Sequence, residues 1–203
     1  MNDQYYTREP SSESRPMPCA FNYRGRLLRF TTDAGVFSKG ELDEGSRLLL
    51  EVLPELKGQV LDLGCGWGAI GVSIAKACPE ASVTMADVNL RALALAEENV
   101  RANGVACRVL ESDGMAALSG CRFSAVVTNP PIRAGKQVIY RMFADAARSL
   151  EPEGALYLVI RKQQGAESCV KYLRTLYGEV ERLVREDGFW VLRASRPTEE
   201  AEA

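Results

Sequence analysis

Residues 60–68 read Val60-Leu61-Asp62-Leu63-Gly64-Cys65-Gly66-Trp67-Gly68, an apolar run that breaks into alternating glycines just before a second apolar stretch, Ala69 to Ala77. Glycine tolerates the left-handed backbone and lets a ligand approach closely, so the pattern predicts a strand, a tight turn and the opening of a helix. Gly64, Gly66 and Ala69 also meet the G-x-G-x-x-G/A spacing of dinucleotide-binding folds, which keeps a nicotinamide oxidoreductase among the readings. Asp62 argues for a different ligand. A carboxylate two residues before the first glycine repels a pyrophosphate but attracts the ammonium group of a methionine-like ligand. S-adenosylmethionine has that ammonium, a cationic sulfonium and no phosphate.

Downstream the alternation of strand and helix continues. Residues 82–86, 106–110, 123–128 and 155–160 read as strands, and 90–102, 136–150 and 165–177 as helices, the first of these closed by Asn103-Gly104. Residues 180–185 and 189–194 form a closing hairpin around Asp187-Gly188. Upstream, Phe21 to Phe30 flank Arg24-Gly25 as a short hairpin, and Asp43 caps a helix running from Glu44 to Leu56 despite Pro54. These elements predict a doubly wound α/β fold, a mostly parallel, Rossmann-like seven-stranded sheet whose C-terminal hairpin adds an antiparallel strand at one edge. The chain divides into a mobile N-terminal arm (1–18), a hairpin and helix that complete the ligand site (19–57), the main domain (58–196) and a disordered acidic tail (197–203).

Further carboxylates stand at successive strand ends. Asp87, with neighbouring Val88, closes the second strand of the main domain, where a carboxylate can accept from both ribose hydroxyls. Asp113-Gly114 follows the third, where a carboxylate can accept from an adenine amine. Asn129-Pro130-Pro131-Ile132 follows the fourth and selects the chemistry. The two prolines fix the backbone and force Asn129 into an extended conformation at the mouth of the ligand site. The Asn129 side-chain oxygen and the Pro130 carbonyl then form a rigid pair of acceptors for the two hydrogens of an exocyclic or amide NH2 group, turning its lone pair toward a sulfonium methyl. Orientation supplies much of the rate for so weak a nucleophile. The methylated nitrogen is transiently acidic, so no histidine base is required.

Composition narrows the field further. The chain contains no histidine, which removes Ser-His-Asp hydrolysis, Cys-His proteolysis and His-ligated zinc and haem. The six cysteines, at 19, 65, 78, 107, 121 and 169, contain no C-x-x-C pair and read as buried reduced thiols with no metal. Lys and Arg number 25 against 27 Asp and Glu, and the net charge of −2 argues against a wholesale electrostatic nucleic-acid binder. No apolar run approaches the ~18 residues of a membrane span and none opens the chain as a signal segment, so a cytoplasmic protein with no membrane partner is expected.

Together these motifs resemble the class I S-adenosylmethionine-dependent methyltransferases over roughly residues 20–195, with Asp62 to Gly66 as the cofactor loop and Asn129 to Ile132 as the amine-orienting motif. Gly35-Val36-Phe37-Ser38 followed by Leu42-Asp43-Glu44-Gly45-Ser46 is similar to the segment preceding the domain in the small-domain group that contains ribosomal RNA small subunit methyltransferase C. The resemblance implies the class I methyltransferase fold and S-adenosylmethionine as cofactor. It implies that Phe37, Ser38, Ser46, Asp62, Gly64, Cys65, Gly66, Asp87, Val88, Asp113, Gly114 and Asn129 hold that cofactor. It also implies methyl transfer to the exocyclic N2 of a guanine in small-subunit rRNA or its precursor particle, with Asn129, Pro130, Pro131 and Ile132 as the catalytic segment.

Two departures stand out. Ile132 occupies a position where the guanine enzymes often carry a stacking aromatic, and it forfeits base–aromatic stacking of roughly 1–3 kcal/mol. Two-domain members carry an additional amino-terminal domain, whereas here only a short arm and hairpin are expected before the main domain. A related group with the same Asn-Pro-Pro motif methylates glutamine side chains, so a protein amide remains an alternative acceptor, and a non-catalytic RNA-binding assembly factor is the reading from another class. Arg24, Arg26, Arg29, Lys39, Arg133, Lys136, Arg141, Arg161 and Lys162 could ring the sheet edge and contact phosphates. Tyr140 reads as helix packing.

Overall fold

The computed structural model describes residues 7–198. Along them run β1 (Met17–Tyr23), β2 (Arg26–Thr32), α1 (Glu44–Val52), β3 (Gly58–Leu63), α2 (Ala69–Ala77), β4 (Ala81–Asp87), α3 (Leu90–Asn103) and β5 (Cys107–Glu111). There follow β6 (Phe123–Thr128), α4 (Lys136–Ser149), β7 (Leu150–Arg161), α5 (Ala166–Leu176), β8 (Tyr177–Glu186) and β9 (Phe189–Pro197). β1 and β2 form a separate antiparallel hairpin. The other strands make one seven-stranded sheet in the order β5-β4-β3-β6-β7-β9-β8. Strands β3 to β7 are parallel, and β9 runs antiparallel between β7 and β8. The antiparallel strand is therefore one place in from the edge rather than at it.

The chain leaves β3 in one direction for β4 and β5, then crosses to β6 on the other flank of β3. Ligand crevices in such sheets open at the carboxyl ends of the strands where the order reverses, which puts the glycine loop after β3 and the Asn-Pro-Pro segment after β6 side by side. Side chains alternate across the sheet as a strand's period of two requires. Val60 and Val127 join the apolar layer under α1, α2 and α3, whereas Leu61 and Val126 join the layer under α4 and α5.

Local chemistry explains the boundaries that differ from expectation. α1 stops at Val52 because Leu53 precedes Pro54 and adopts φ −59, ψ 135, the extended region that a following proline imposes. β7 begins five residues earlier than its apolar run, pairing Leu150 with Phe123 across a register irregularity. All six cysteines are free; four are buried, and Cys107 and Cys121 are partly exposed.

The hairpin is fastened to α3 by a pair of asparagines that imitate a neighbouring strand. Asn99 accepts from the Thr31 N–H and donates to the Thr31 carbonyl, at 2.7 and 2.9 Å, and Asn103 does the same with Arg29, at 3.1 and 2.7 Å. Four helical residues rise about 6 Å and two strand residues about 6.7 Å, so side chains one helical turn apart match alternate strand residues. Arg24 donates to the carbonyls of Leu53 and Pro54, and Arg26 to that of Lys76. Those carbonyls lie at the C-terminal ends of α1 and α2, opposite the glycine loop, so Arg24 and Arg26 leave the basic rim expected from sequence and serve instead as helix C-terminal donors.

The described residues nearest each end make more contacts with the domain than their polar composition suggests. Residues 1–6 of the expected mobile arm and 199–203 of the acidic tail lie outside the described residues, but residues 8–15 are bonded to the domain. The Arg8 carbonyl accepts the Leu90 N–H, and its guanidinium pairs with Glu111 at 2.6 Å. Arg91 donates to the Ala34 and Ser12 carbonyls at 2.7 and 2.8 Å and to the Ser12 hydroxyl at 3.1 Å. Asp33 receives the Ser14 hydroxyl and the backbone N–H groups of Arg15 and Ala34. Burial pushes the Asp33 carboxyl up, but those hydrogen bonds and the Arg91 charge outweigh it and hold the group below the usual range. At the other end, Pro197 closes β9 and the Thr198 N–H donates to the Leu176 carbonyl.

Candidate functional site

The glycine loop wraps around the end of β4. Gly64 and Cys65 both donate to the Ala86 carbonyl, at 2.8 and 3.0 Å, and the Gly66 N–H donates to the Asp87 carboxylate at 2.8 Å. This turn requires φ of +54 at Gly66 and +88 at Gly68, conformations that side-chain-bearing residues rarely adopt. At Gly68, the residue that caps α2, a Cβ would also stand 3.3 Å from that of Ala96 on α3. Cys65 is buried here, and burial pushes its thiol well above the usual range, so it stays protonated.

Asp62 lies under this loop with no solvent exposure. One carboxylate oxygen accepts the Gly71 N–H at 2.7 Å, while the other has no partner among the described residues. Burial pushes its carboxyl up to about 7, against the pull of the Gly71 N–H and with a push from the nearby Asp87 charge. A buried acceptor left without a donor carries a desolvation penalty that a ligand donor relieves. An ammonium group answers both the empty acceptor and the charge; a pyrophosphate answers neither. The residues present therefore fit S-adenosylmethionine and not a dinucleotide.

Gly71, absent from the sequence-derived site, makes that arrangement possible. A Cβ there would meet the Met85 sulfur at 2.3 Å and its Cγ at 2.5 Å. Alanine normally favours a helix interior by about 1 kcal/mol over glycine, but overpacking costs roughly 1–3 kcal/mol. Because Met85 is fully buried, Gly71→Ala is expected to destabilise by about 1 kcal/mol net, read as a lower urea midpoint with an unchanged slope.

Asp87 sits at the end of β4, its oxygens engaged by the N–H groups of Gly66 and Asn89, with that of Val88 also in reach. Burial raises its pKa against those hydrogen bonds. Asn89, buried and unforeseen, caps α3 through Ala92 and donates to the Gly35 carbonyl at 3.0 Å. Trp67 donates its indole N–H to the Phe37 carbonyl at 2.9 Å. Together with Arg91 at Ala34, these bonds pin the loop carrying Phe37 and Ser38 beside the glycine turn and Asp87. Ser38 itself turns away to the Glu41 carbonyl at 2.7 Å. Asp113 is exposed and paired with Arg141 at 2.8 Å, and Gly114, at φ +56, follows it in a turn closed by Ser112.

The segment after β6 forms a second group. Thr128, fully buried, donates to the Leu63 carbonyl at 2.7 Å and ties the ends of β3 and β6 together. The next residue, Asn129, donates its amide nitrogen to both oxygens of Asp43, at 3.3 and 3.1 Å, and to the Ser46 hydroxyl at 3.0 Å. Asp43 is also the N-cap of α1, accepting from Gly45 and Ser46. A carboxylate can only accept, so the Asn129 amide must turn its nitrogen toward Asp43 and its oxygen the other way. That oxygen has no hydrogen bond among the described residues. The Pro130 carbonyl accepts the Ile132 N–H at 2.8 Å around Pro131, at φ −74 and ψ 78, and keeps its second lone pair.

The structure thus gathers Asp62, Gly64, Cys65, Gly66, Asp87, Phe37 and the neighbouring Val88 around the glycine loop, and Asp43, Ser46, Asn129 and Pro130 beside it. Asp113 lies farther out on Arg141. The Asn89 cap is the kind of residue that a polar position before Leu90 signals in sequence, whereas Asn99, Gly71 and Thr128 carry no such local signature.

A family model described as Methyltransferase small domain matches residues 27–193. The Bacillus subtilis (strain 168) protein YbxB, described as uncharacterized, is 39% identical over 200 residues, 97% of this chain and 100% of its own length. Ribosomal RNA small subunit methyltransferase C of Hahella chejuensis is 44% identical over 140 residues, 66% of this chain and 41% of the relative. A solved T. thermophilus 16S rRNA N2 G1207 methyltransferase, in complex with AdoMet and guanosine, superposes with a TM-score of 0.80 at 31% identity, over 91% of this chain and 51% of that one. The chain spans about two-fifths of the Hahella relative and half of the T. thermophilus chain.

Proposed function

This chain belongs to the methyltransferase small domain family, and from that premise we propose that it methylates the exocyclic N2 of a guanine in small-subunit rRNA, with S-adenosylmethionine as methyl donor. The observation that carries the reading is the Asn129 amide, anchored through its nitrogen on Asp43 and Ser46 so that its oxygen turns the other way, one residue before the Pro130 carbonyl. The relatives that methylate rRNA, and the solved neighbour's 16S rRNA N2 activity with guanosine bound, support guanine over other amines.

Bound S-adenosylmethionine supplies a methyl group on a cationic sulfur that leaves without prior activation. Asp62 would hold the ligand's ammonium through its unpartnered oxygen and Asp87 its ribose hydroxyls, with the Phe37 loop pinned beside them by Trp67 and Arg91. Asn129 and Pro130 accept the two amine hydrogens, which places the nitrogen lone pair rather than an N–H toward the methyl. In-line displacement would then form the N–C bond as the C–S bond breaks, with the nitrogen's extra proton released to water. Pre-paid orientation is the main contribution of these residues.

Arg91 acts behind this arrangement, through the Ala34 carbonyl and the arm at Ser12. Arg91→Ala is expected to weaken S-adenosylmethionine binding about tenfold, equivalent to about 1.4 kcal/mol, with kcat at saturating cofactor little changed. Isothermal titration calorimetry reads the first quantity, and unaltered affinity would remove the role of Arg91 in positioning that loop.

The function is tested by incubating the protein with radiolabelled S-adenosylmethionine and lysate from cells lacking its gene, then dividing the reaction between ribonuclease and protease. Label lost to ribonuclease alone is expected. Label lost to protease alone would transfer the case to a protein glutamine amide, which presents the same NH2 group. Cofactor binding without label in either fraction would favour a non-catalytic assembly factor.

A further inference from the structure

We propose that the cleft between α4 and α5, beside Ile132, holds a nucleobase adjacent to the target nucleotide in single-stranded RNA. The inference rests on the RNA reading above and adds a second base site to it. The cleft has a volume of about 210 Å³, and Ile139, Phe143 and Ile160 supply its apolar lining together with Ile132. Neither Asp62, Asp87, Asn129 nor Pro130 lines it, so it is separate from the acceptor position. Ile132 belongs to both places: it follows the acceptor prolines and forms the near wall of the cleft. Bases seated on the two sides of Ile132 would then be neighbours on one strand. The volume lies below the ~300 Å³ of pockets that enclose a drug-sized ligand, so the space suits a flat ring system rather than a complete nucleoside.

Tyr140 brings an aromatic ring to the lining, backed by Tyr172 on α5. Tyr140 stacks on Tyr172 at a centroid distance of 3.9 Å with 7° between the planes, and the Tyr172 hydroxyl donates to the Tyr140 carbonyl at 3.2 Å. Lys136 holds its ammonium 5.1 Å from the Tyr140 ring centroid. An aromatic face that attracts a cation also stacks on a base, and a lysine on its flexible stem can swing from the ring to a phosphate as the base enters. Gln164 and Ser168 at the rim offer both donors and acceptors, which suits any base edge and predicts weak sequence preference.

Charge selects nucleic acid over an aromatic peptide side chain. No carboxylate lines the cleft, and burial pushes the Cys169 thiol in its wall up to about 12, which leaves that group neutral. On a chain of net charge −2, Lys136 in the lining, Arg133 next to Ile132 and Lys162 between Ile160 and Gln164 have no ion-pair partner among the described residues, whereas Arg141 and Arg161 are engaged by Asp113 and Glu44. An apolar lining accompanied by unpaired cations matches a ligand that joins flat apolar faces to phosphates. Base stacking here also offsets what Ile132 forfeits by not being aromatic.

The test uses a fluorescently labelled single-stranded hexaribonucleotide with a central guanine and a second hexamer whose two nucleotides flanking that guanine are abasic, titrated by anisotropy. The full-length protein is expected to bind the intact hexamer about tenfold more tightly, the gain of one stacked base. Ser168→Trp, which fills the cleft, should bind both hexamers alike. Gln164→Trp, on an exposed turn away from the core, should do the same and covers the case in which the first variant fails to fold. Equal binding of the two hexamers by the unmodified protein, or discrimination that survives Gln164→Trp, overturns the cleft assignment while leaving methyl transfer standing. Discrimination that is lost in the variants, with no methyl label entering RNA, supports the cleft as an RNA site and removes the methyl-transfer reading instead.

Discussion

Asn129→Ala is expected to lower kcat on the RNA acceptor by on the order of 10²-fold, the loss that follows when a weak nucleophile is no longer held in line. Affinity for S-adenosylmethionine should stay within about twofold, since the glycine loop, Asp62 and Asp87 make no hydrogen bond to Asn129. Single-turnover methyl transfer with calorimetry of cofactor binding separates the two quantities. Asn129→Asp should be no better and also less stable, because it sets a second carboxylate against Asp43, which already caps α1. Ser46→Ala removes one of the acceptors that fix the amide and should cost less than either, with the loss in kcat rather than in cofactor affinity. Full activity in Asn129→Ala would mean that amine orientation resides elsewhere.

Asp62 carries the second large effect, through its ionisation. Its carboxyl is raised to about 7 by burial, against about 3.9 in an unfolded chain, so the folded protein binds a proton that the unfolded chain has released. The contribution of this group to stability is therefore fully present below about pH 4, declines as pH rises, and is gone above about pH 7, a range on the order of 4 kcal/mol. Asp62→Asn keeps the oxygen that accepts from Gly71 and removes the buried charge, so it should raise the urea midpoint at pH 8. The same change should weaken S-adenosylmethionine binding by on the order of 10²-fold, because the ammonium then meets a neutral amide. Below pH 7 the cofactor must displace the Asp62 proton. At pH 6, binding should release close to one proton, read as a dependence of the calorimetric heat on the buffer's ionisation enthalpy, and Asp62→Asn should release none. Proton release by Asp62→Asn, or none by the wild-type protein, would show that the ammonium does not meet this carboxylate.

The glycine turn, the parallel strands and the Asn-Pro-Pro segment were legible in sequence because each is written in neighbouring residues. Gly64 to Gly68 announce a left-handed turn, and Pro130-Pro131 announce a rigid one. Contacts between distant residues were not legible. Nothing near Asn129 indicates that its amide nitrogen will meet Asp43, which reads locally as a helix cap and is both cap and anchor. Gly71 lies inside an ordinary helical pattern, and only the position of Met85 on the neighbouring strand shows why no side chain fits there. Arg24 and Arg26 read as rim cations because sequence gives their charge but not the end of the sheet at which the hairpin turns. The arm reads as mobile because its composition is polar, while Arg91 and Asp33, which hold it, come 76 or more and 18 residues after Arg15 respectively.

The most direct measurement is nucleoside analysis of 16S rRNA from cells lacking the gene, compared with the same cells carrying the wild-type protein or Asn129→Ala. N2-methylguanosine is expected to fall in the null strain, to return to its full level with the wild-type protein, and to stay low with Asn129→Ala. An N2-methylguanosine content identical in all three strains would contradict the proposed guanine methylation.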